Sequence, residues 1–551
     1  MNIINTLLHR VEAFREKNLK RFQNQYLIFF VVATSQLLDS SNITAVVTTL
    51  SQIQEKYDAT YPTASWALSA YALCYSSFIM ITGRLGDIVG HHIIYTTGLF
   101  LLAIFLLVTA VAENLYVLIV FRALQGIAAA MTIPSSYAIV GHTFTGKALN
   151  MALAGITAVT TMGASFGFLV GGAFYSTSVG YRGVFFLFAG LAFLASFLSL
   201  LCVKHTPTSP AKLSNLDHYG VAVMLGGALL LVTGLTEGGN RWKSPKAYVP
   251  IIVGVLMIAL FLLWEKRLYR QFAWSRNSDL LIPGELWRIP NFIPLIMIMG
   301  LNFGSMFTQA LANVEIYQYV SHHSAIISAL QAFPNPITIF FCTFIVGAVF
   351  GKIPPKYCIF VGTALNVVSG VLLSRQGADT HSYWRFGFMG LVVLGIGVAL
   401  TLVNTLNSLM VSCPLSLQGL LSGAALTSAQ LFVAASSAAM SSIVGDVTIG
   451  DSVEEQHKLL KKYRNVYYLS VGLAGAAFVV NFFVKNVSVT SPENNSHIVE
   501  SGTETNEFAP ANSKTETANQ ETKCTKTNGT DDSIHEQELE IKRDAYLNKI
   551  A

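Results

Sequence analysis

The sequence predicts an all-α polytopic membrane protein with fourteen spanning helices. Three observations carry that prediction. Of the 551 residues, 52% are hydrophobic and only 12% are charged, whereas soluble domains carry about a quarter charged residues. The mean hydropathy is +0.52. Apolar stretches near the length that crosses a bilayer, about 20 residues, recur along the chain with polar residues gathered between them.

The elements follow in order. Residues 1–25 alternate apolar positions (Ile4, Leu7, Leu8, Val11, Phe14, Phe22) with Arg10, Arg15, Lys17, Lys20 and Arg21. That pattern suits a basic amphipathic segment on an anionic leaflet, or equally a solvated tail. Spanning helices are expected at 27–50, 64–83, 93–112, 115–140, 149–175 and 183–203, which form an N-terminal six-helix half over 26–203. Two shorter, Gly-rich spans at 219–236 and 249–265 sit within a connecting region, 204–291. A C-terminal half over 292–484 holds spans at 292–313, 325–350, 357–374, 385–406, 420–444 and 465–484. Beyond Lys485 the chain turns to Ser, Thr, Asn, Glu and Lys. Such a composition buries too little apolar surface to fold alone, so 485–551 is expected to be a disordered tail.

Basic residues set the orientation. With the N-terminus inside, the cytoplasmic segments hold Lys147, Lys204, Lys212, Lys352 and Lys356, and the richest loop holds Lys266, Arg267, Arg270, Arg276 and Arg288. An even number of spans then places both termini in the cytoplasm. The six cysteines show no metal or CxxC spacing. There is no P-loop lysine motif and no nucleophile elbow, so an enzyme, an ATP-driven pump, a metal site and a cofactor are all disfavoured. Without a basic stripe interleaved with aromatics, nucleic acid is not an expected partner. The expected partners are a small solute, protons and the lipid bilayer, with the protein acting as a monomer.

Ionisable groups within spans are costly and therefore informative. Asp39 falls mid-helix in Gln36-Leu-Leu-Asp-Ser-Ser-Asn42, where it either binds a transported proton or pairs locally. Arg122 falls in the fourth span, with Asp39, Gln125 or first-helix carbonyls as candidate partners, for packing or for coupling. Gly83-Arg84-Leu-Gly86-Asp87-Ile-Val-Gly90-His-His92 reads as a hinge loop below the second span, and Asp87 is placed to sit on the positive end of the helix at 420–444. His91 and His92 would lend such a latch pH sensitivity. Gly163, Gly167 and Gly171, with Gly172, line one face of the fifth span for close helix approach. Gln36, Gln125, Asn302, Gln309, Asn335, Asn404 and Gln430 are candidates for a solute cavity or for interhelical glue. Asn335, between two prolines, marks a broken helix.

These stretches resemble the major facilitator superfamily. Gly83–Asp87 with Gly90 is similar to its signature loop, Arg122–Gly126 to its fourth-helix motif, and Gly163, Gly167, Gly171 and Gly172 to the antiporter motif. The six-plus-two-plus-six layout is similar to fungal fourteen-helix drug:proton antiporters. Ser35–Leu38, Thr82–Ile88, Arg122–Gly126 with Pro134, and Leu459–Tyr468 look closest to the yeast aminotriazole-resistance transporter family. The chain departs at Ile88, His91 and His92, where the family loop is basic, and at Phe168, where the antiporter motif has proline; Ala154 stands at that motif's first glycine. The resemblance implies the major facilitator fold and a plasma-membrane secondary transporter exporting small toxic solutes against protons. A proton-linked importer of a metabolite or iron chelate is the alternative within the same fold. A non-transporting nutrient sensor is the alternative of another class.

Overall fold

The structure is a computed structural model. It describes residues 24–485 except 60, 65, 176, 207–216, 241, 267–285, 289–290, 324, 351, 378–379, 413–416 and 446–452. The basic N-terminal segment up to residue 23, most of the basic linker and the tail beyond 485 therefore lie outside the described residues.

Fourteen helices are long and apolar enough to cross a membrane. They are α1 (Gln25–Lys56), α2 (Trp66–Val89), α3 (His91–Val111), α4 (Leu115–Thr143), α5 (Gly146–Tyr175), α6 (Tyr181–Cys202), α7 (His218–Asn240), α8 (Pro245–Lys266), α11 (Pro355–Ser374), α13 (Gln418–Val444) and α14 (Val453–Val480), with α9 (Phe292–Val320), α10 (Ile326–Val349) and α12 (Tyr383–Val411). No strand is present among the described residues. Lipid offers no hydrogen bonds, so a spanning backbone has to satisfy its own groups, and helices do this locally. Asparagine side chains cap α1 and α4: Asn24 accepts from Tyr26 N (3.1 Å) and Asn114 from Tyr116 N (2.8 Å), each satisfying an N–H that has no intrahelical partner.

Two expectations change, and three helices carry irregular turns. The expected loop at Gly83–His92 is helical through Val89; the chain breaks only at Gly90, whose φ of +110° suits glycine. Gly83 and Gly86 instead serve close packing. The last span starts at Val453, well before 465, because its first turns carry Glu454, Lys458, Lys461 and Lys462 and read as polar although they are helical. Finally, α9 ends and α12 begins in a π-helical turn, Ile316–Val320 and Tyr383–Gly387 respectively. α10 divides at Phe333 into Ala325–Ala332 and Pro334–Val349. Pro334 has no N–H to continue the ladder, in keeping with a broken helix there.

The first six helices pack on one another, α1 against α5 and α6, α2 against α4, and α3 against α4 and α6. The last six do likewise, α9 against α13 and α14, α11 against α12 and α14, and α10 against α12. The two groups meet chiefly where α2 touches α13 and where α5 touches α10. α7 and α8 form a hairpin whose backbones approach at Gly254, where a Cβ would come within 2.6 Å of Leu231 N. α7 lies on both α13 and α2, while α8 turns Ile252, Val255, Leu256 and Leu263 outward, each more than half exposed. Such an apolar face is solvated by lipid.

Candidate functional site

Asp39 is 1% exposed on α1. Its Oδ2 accepts from Thr132 Oγ1 at 2.6 Å, and its Oδ1 has no hydrogen-bond partner among the described residues. Arg122, on α4, is fully buried. Its Nε donates to Ala67 O (2.8 Å), and its Nη1 donates to Asn42 Oδ1 (3.1 Å) and Gln125 Oε1 (2.8 Å). Its guanidinium lies 4.5 Å from the Tyr71 ring centroid, a cation–π distance. Gln125 Nε2 continues the network to Thr109 Oγ1 at 2.6 Å. Of the partners expected for Arg122, Gln125 is present. Asp39 and a first-helix carbonyl are not; the Asn42 side chain of α1 and the Ala67 carbonyl of α2 take their places. The carboxylate and the guanidinium thus occupy separate hydrogen-bond sets, joined through α1 and α4. Gln36 Nε2 donates to Ser136 Oγ at 3.0 Å, a further tie between those two helices.

The glycines of α5 pack directly on α1. A Cβ at Gly163 would stand 2.8 Å from Leu37 O; at Gly167 it would strike Ser41 O and Thr44 Oγ1, and at Gly171 Ala45 O and Thr48 Oγ1. Ser41 Oγ donates to Gly163 O at 2.8 Å. Gly172 faces elsewhere, 3.1 Å by the same measure from Ile326 on α10. One glycine row therefore closes α1 on α5, and the neighbouring glycine joins the two helix groups.

At the opposite end of the bundle, Asp87 ends α2 with its carboxylate on the start of α13. Gly419 N donates to Oδ1 (3.1 Å) and Leu420 N to Oδ2 (2.9 Å). These N–H groups belong to the first turn of α13, where no intrahelical acceptor exists and the helix dipole favours an anion. His91 Nε2 lies 2.9 Å from Asp87 Oδ1. Gly83 makes the approach possible, since a Cβ there would come within 3.0 Å of the Gly419 carbonyl carbon. Gly86 lies against the His91 ring. Arg84 is buried beside this contact at 4% exposure. His92 points away from it: its Nδ1 lies 3.2 Å from Thr206 Oγ1 and its Nε2 3.2 Å from His205 Nδ1.

The expected cavity residues of the last six helices mostly bond to protein. Asn302 Oδ1 accepts from Asn366 Nδ2. Gln309 Nε2 donates to Ser305 Oγ and Asn366 O, and its Oε1 accepts from Ser369 Oγ. Asn404 Nδ2 donates to Leu400 O in its own helix. Asn335 is 7% exposed, and its carbonyl lies where a Cβ at Gly395 would come within 2.9 Å. Gln430 is half-buried. Asn407, fully buried on α12, differs: neither amide atom has a hydrogen-bond partner among the described residues. Gly419 meets Asp87 at the helix start where Asp87 was expected to sit, while Asn42, Tyr71 and Thr132 complete the site with pairings that no sequence pattern marked.

The model of the Major Facilitator Superfamily matches residues 32–438. The chain belongs to this superfamily. Among curated relatives, "Efflux pump terJ" of Aspergillus terreus is 24% identical, covering 87% of this chain and 91% of the relative. The "Aminotriazole resistance protein" of Saccharomyces cerevisiae is 22% identical over 83% of each. Among solved structures, the human organic anion transporter MFSD10 (TETRAN) superposes with a TM-score of 0.57 at 15% identity, over 83% of this chain and 99% of that one. The fold is thus that of a membrane transporter of small molecules, and the chain is not an enzyme.

Proposed function

We propose that this chain is a proton-coupled exporter of small toxic or xenobiotic solutes, working as a monomer in the plasma membrane by alternating access. In this reading its two six-helix groups, 26–203 and 292–484, rock about a midplane site, and both termini face the cytoplasm. The single observation that carries it is Asp39. A carboxylate in the middle of a spanning helix, wholly buried and without a cation within ion-pair distance among the described residues, is suited to take up a proton when exposed to one side and lose it to the other. Arg122 fixes α4 to α1 and α2 through a planar fork, so movement of α1 on proton exchange is felt by the other two helices. The Asp87 contact on α13 closes the cytoplasmic end while the outer end opens. The relatives named for efflux and for aminotriazole resistance favour export and suggest aminotriazole as the probe.

The test is aminotriazole flux in proteoliposomes under an imposed pH gradient. The expected result is flux accelerated by a gradient of protons opposed to the solute. Asp39→Asn should retain downhill exchange and lose the response to the gradient. Wild-type flux indifferent to the gradient overturns the coupling, and net movement in the same direction as the protons overturns export.

A further inference from the structure

Glu315 is a second carboxylate within the spanning region, and the mechanism above does not use it. It is the last α-helical residue of α9, immediately before the π-helical turn. Its Oε2 accepts from Tyr463 Oη of α14 at 3.0 Å. The groups next to it are tyrosines rather than cations: Tyr317 and Tyr319 on its own helix, Tyr463 and Tyr467 on α14, and Tyr383 on α12, all within one apolar cluster, with His323 beyond the π turn, its N donating to Tyr317 O and its Nδ1 2.9 Å from Gln331 Oε1. Tyr467 Oη donates to Asn313 Oδ1. The cations of α14 on either side of Tyr463 are engaged at helix ends, Lys462 Nζ with Val444 O (2.6 Å) and Arg464 Nε with Ser374 O (3.1 Å). No cation pairs with Glu315 among the described residues. An uncompensated carboxylate in such surroundings costs several kcal/mol, and the tyrosine hydroxyl offsets only part of that.

The surroundings of Glu315 reach the contact between the two helix groups. Tyr317, in the π turn after Glu315, stacks edge-on with Tyr383 in the π turn of α12, centroids 5.8 Å apart. The two turns close around Gly387, where a Cβ would stand 3.0 Å from both Tyr317 Oη and Gln376 Oε1. Tyr383 Oη donates to Gln331 O on the first segment of α10. That same segment carries Ile326, which meets Gly172 of α5. π turns inside helices frequently mark functional sites, because a residue can be taken up or released by the helix register.

We propose that Glu315 is a second proton-binding site, filled from the end of the bundle opposite Asp87, and that its proton holds that end closed through the paired π turns. The proton comes from water on that side and returns to water when the end opens and the carboxylate is hydrated. The polar groups gathered here are one carboxylate and its tyrosine hydroxyls, so the ligand is the proton itself. This goes beyond the Asp39 reading and stands or falls separately from it.

The test needs no solute. Infrared difference spectra of the whole protein in lipid nanodiscs, recorded as the pH is stepped from about 5 to about 8.5, around the range where displaced carboxyl groups titrate, read the carbonyl stretch of protonated acids. The expected result is two pH-responsive bands: one lost in Glu315→Gln and retained in Asp39→Asn, the other lost in Asp39→Asn and retained in Glu315→Gln. Tyr463→Phe should shift the pH at which the first band titrates. A thiol in place of the buried Ser328 on α10 should label faster at high pH by more than the rise that thiolate formation alone gives a free thiol, and Glu315→Gln should remove that excess. A spectrum unchanged by Glu315→Gln, or a Glu315 band constant across the range, overturns the proposal. Should Glu315→Gln not fold, a band unmoved by Tyr463→Phe overturns it equally. A wild-type spectrum that shows the Glu315 band and no Asp39 band leaves this site standing and overturns the other reading.

Discussion

Replacing Asp87 by Asn tests the contact at the foot of α2. The carboxylate receives two backbone N–H bonds, at 3.1 and 2.9 Å, from the first turn of α13. Each bond to a charged acceptor contributes about 1.5–3 kcal/mol net, and the dipole at a partly buried helix start adds up to about 2 kcal/mol. Asparagine keeps one carbonyl oxygen, able to accept one neutral bond of about 1 kcal/mol, and turns its NH2 toward the second N–H. The low end of these ranges is a loss of about 2–3 kcal/mol against the closed contact. At about 1.4 kcal/mol per tenfold, the open population rises by about 30- to 150-fold. A single cysteine in place of the buried Ser422, in a background free of other cysteines, reports that population through its labelling rate with a polar thiol reagent. The rate should rise by one to two orders of magnitude in Asp87→Asn. A rate within about twofold of the parent refutes the reasoning, because the geometry would then be carrying none of the closure.

Four other outcomes follow from the packing and the network. Gly167→Val should push α5 off α1 and destabilise the protein by about 1–3 kcal/mol as overpacking does, lowering the midpoint of thermal unfolding in detergent. Gly190→Ala, where a Cβ meets nothing within 4 Å, should be neutral or gain up to about 1 kcal/mol from helix propensity in the same measurement. Arg122→Lys keeps the charge but not the fork that reaches Ala67, Asn42 and Gln125 together; solute flux should fall at least about tenfold, the equivalent of one lost charged bond. Gly90→Ala forces a side chain to φ +110°, a strain of about 1–3 kcal/mol that should appear as lower yield of folded protein by size-exclusion chromatography.

The fourteen spans were legible because each needs only length and hydropathy, and lipid allows few alternatives. Asp87 was legible as a neighbour of α13 because alternating spans bring the end of the second and the start of the thirteenth to the same side. The boundaries of α2 and α14 were not, since a polar residue lowers hydropathy without ending a helix: Arg84 and Asp87 are helical and buried, and the charged start of α14 is helical with Glu454 and Lys458 exposed. Nor were the partners of Arg122. Asp39 and Asn42 lie three residues apart on one face of α1 and both meet α4, at Thr132 and at Arg122 and Gln125 respectively, so the pairing turns on depth along the helices, which hydropathy does not fix to within one turn. Glu315 and Tyr463 lie 148 positions apart, and no periodicity links them. Most of the amides expected around a cavity bond across helices instead, because in an apolar interior any amide finds its nearest polar neighbour.

The hairpin of α7 and α8 also bears on the cycle. α7 rests on α2 and α13 together, the same two helices that Asp87 joins end to end. When those helices part, α7 has to leave one of them, and the surface it uncovers must be rewetted by lipid. In the proposed cycle the added pair of helices therefore serves as a brake on one opening, expected to lengthen the dwell in one state without touching the solute. Excising residues 204–291 while joining the flanking groups should speed that opening rather than alter what is carried.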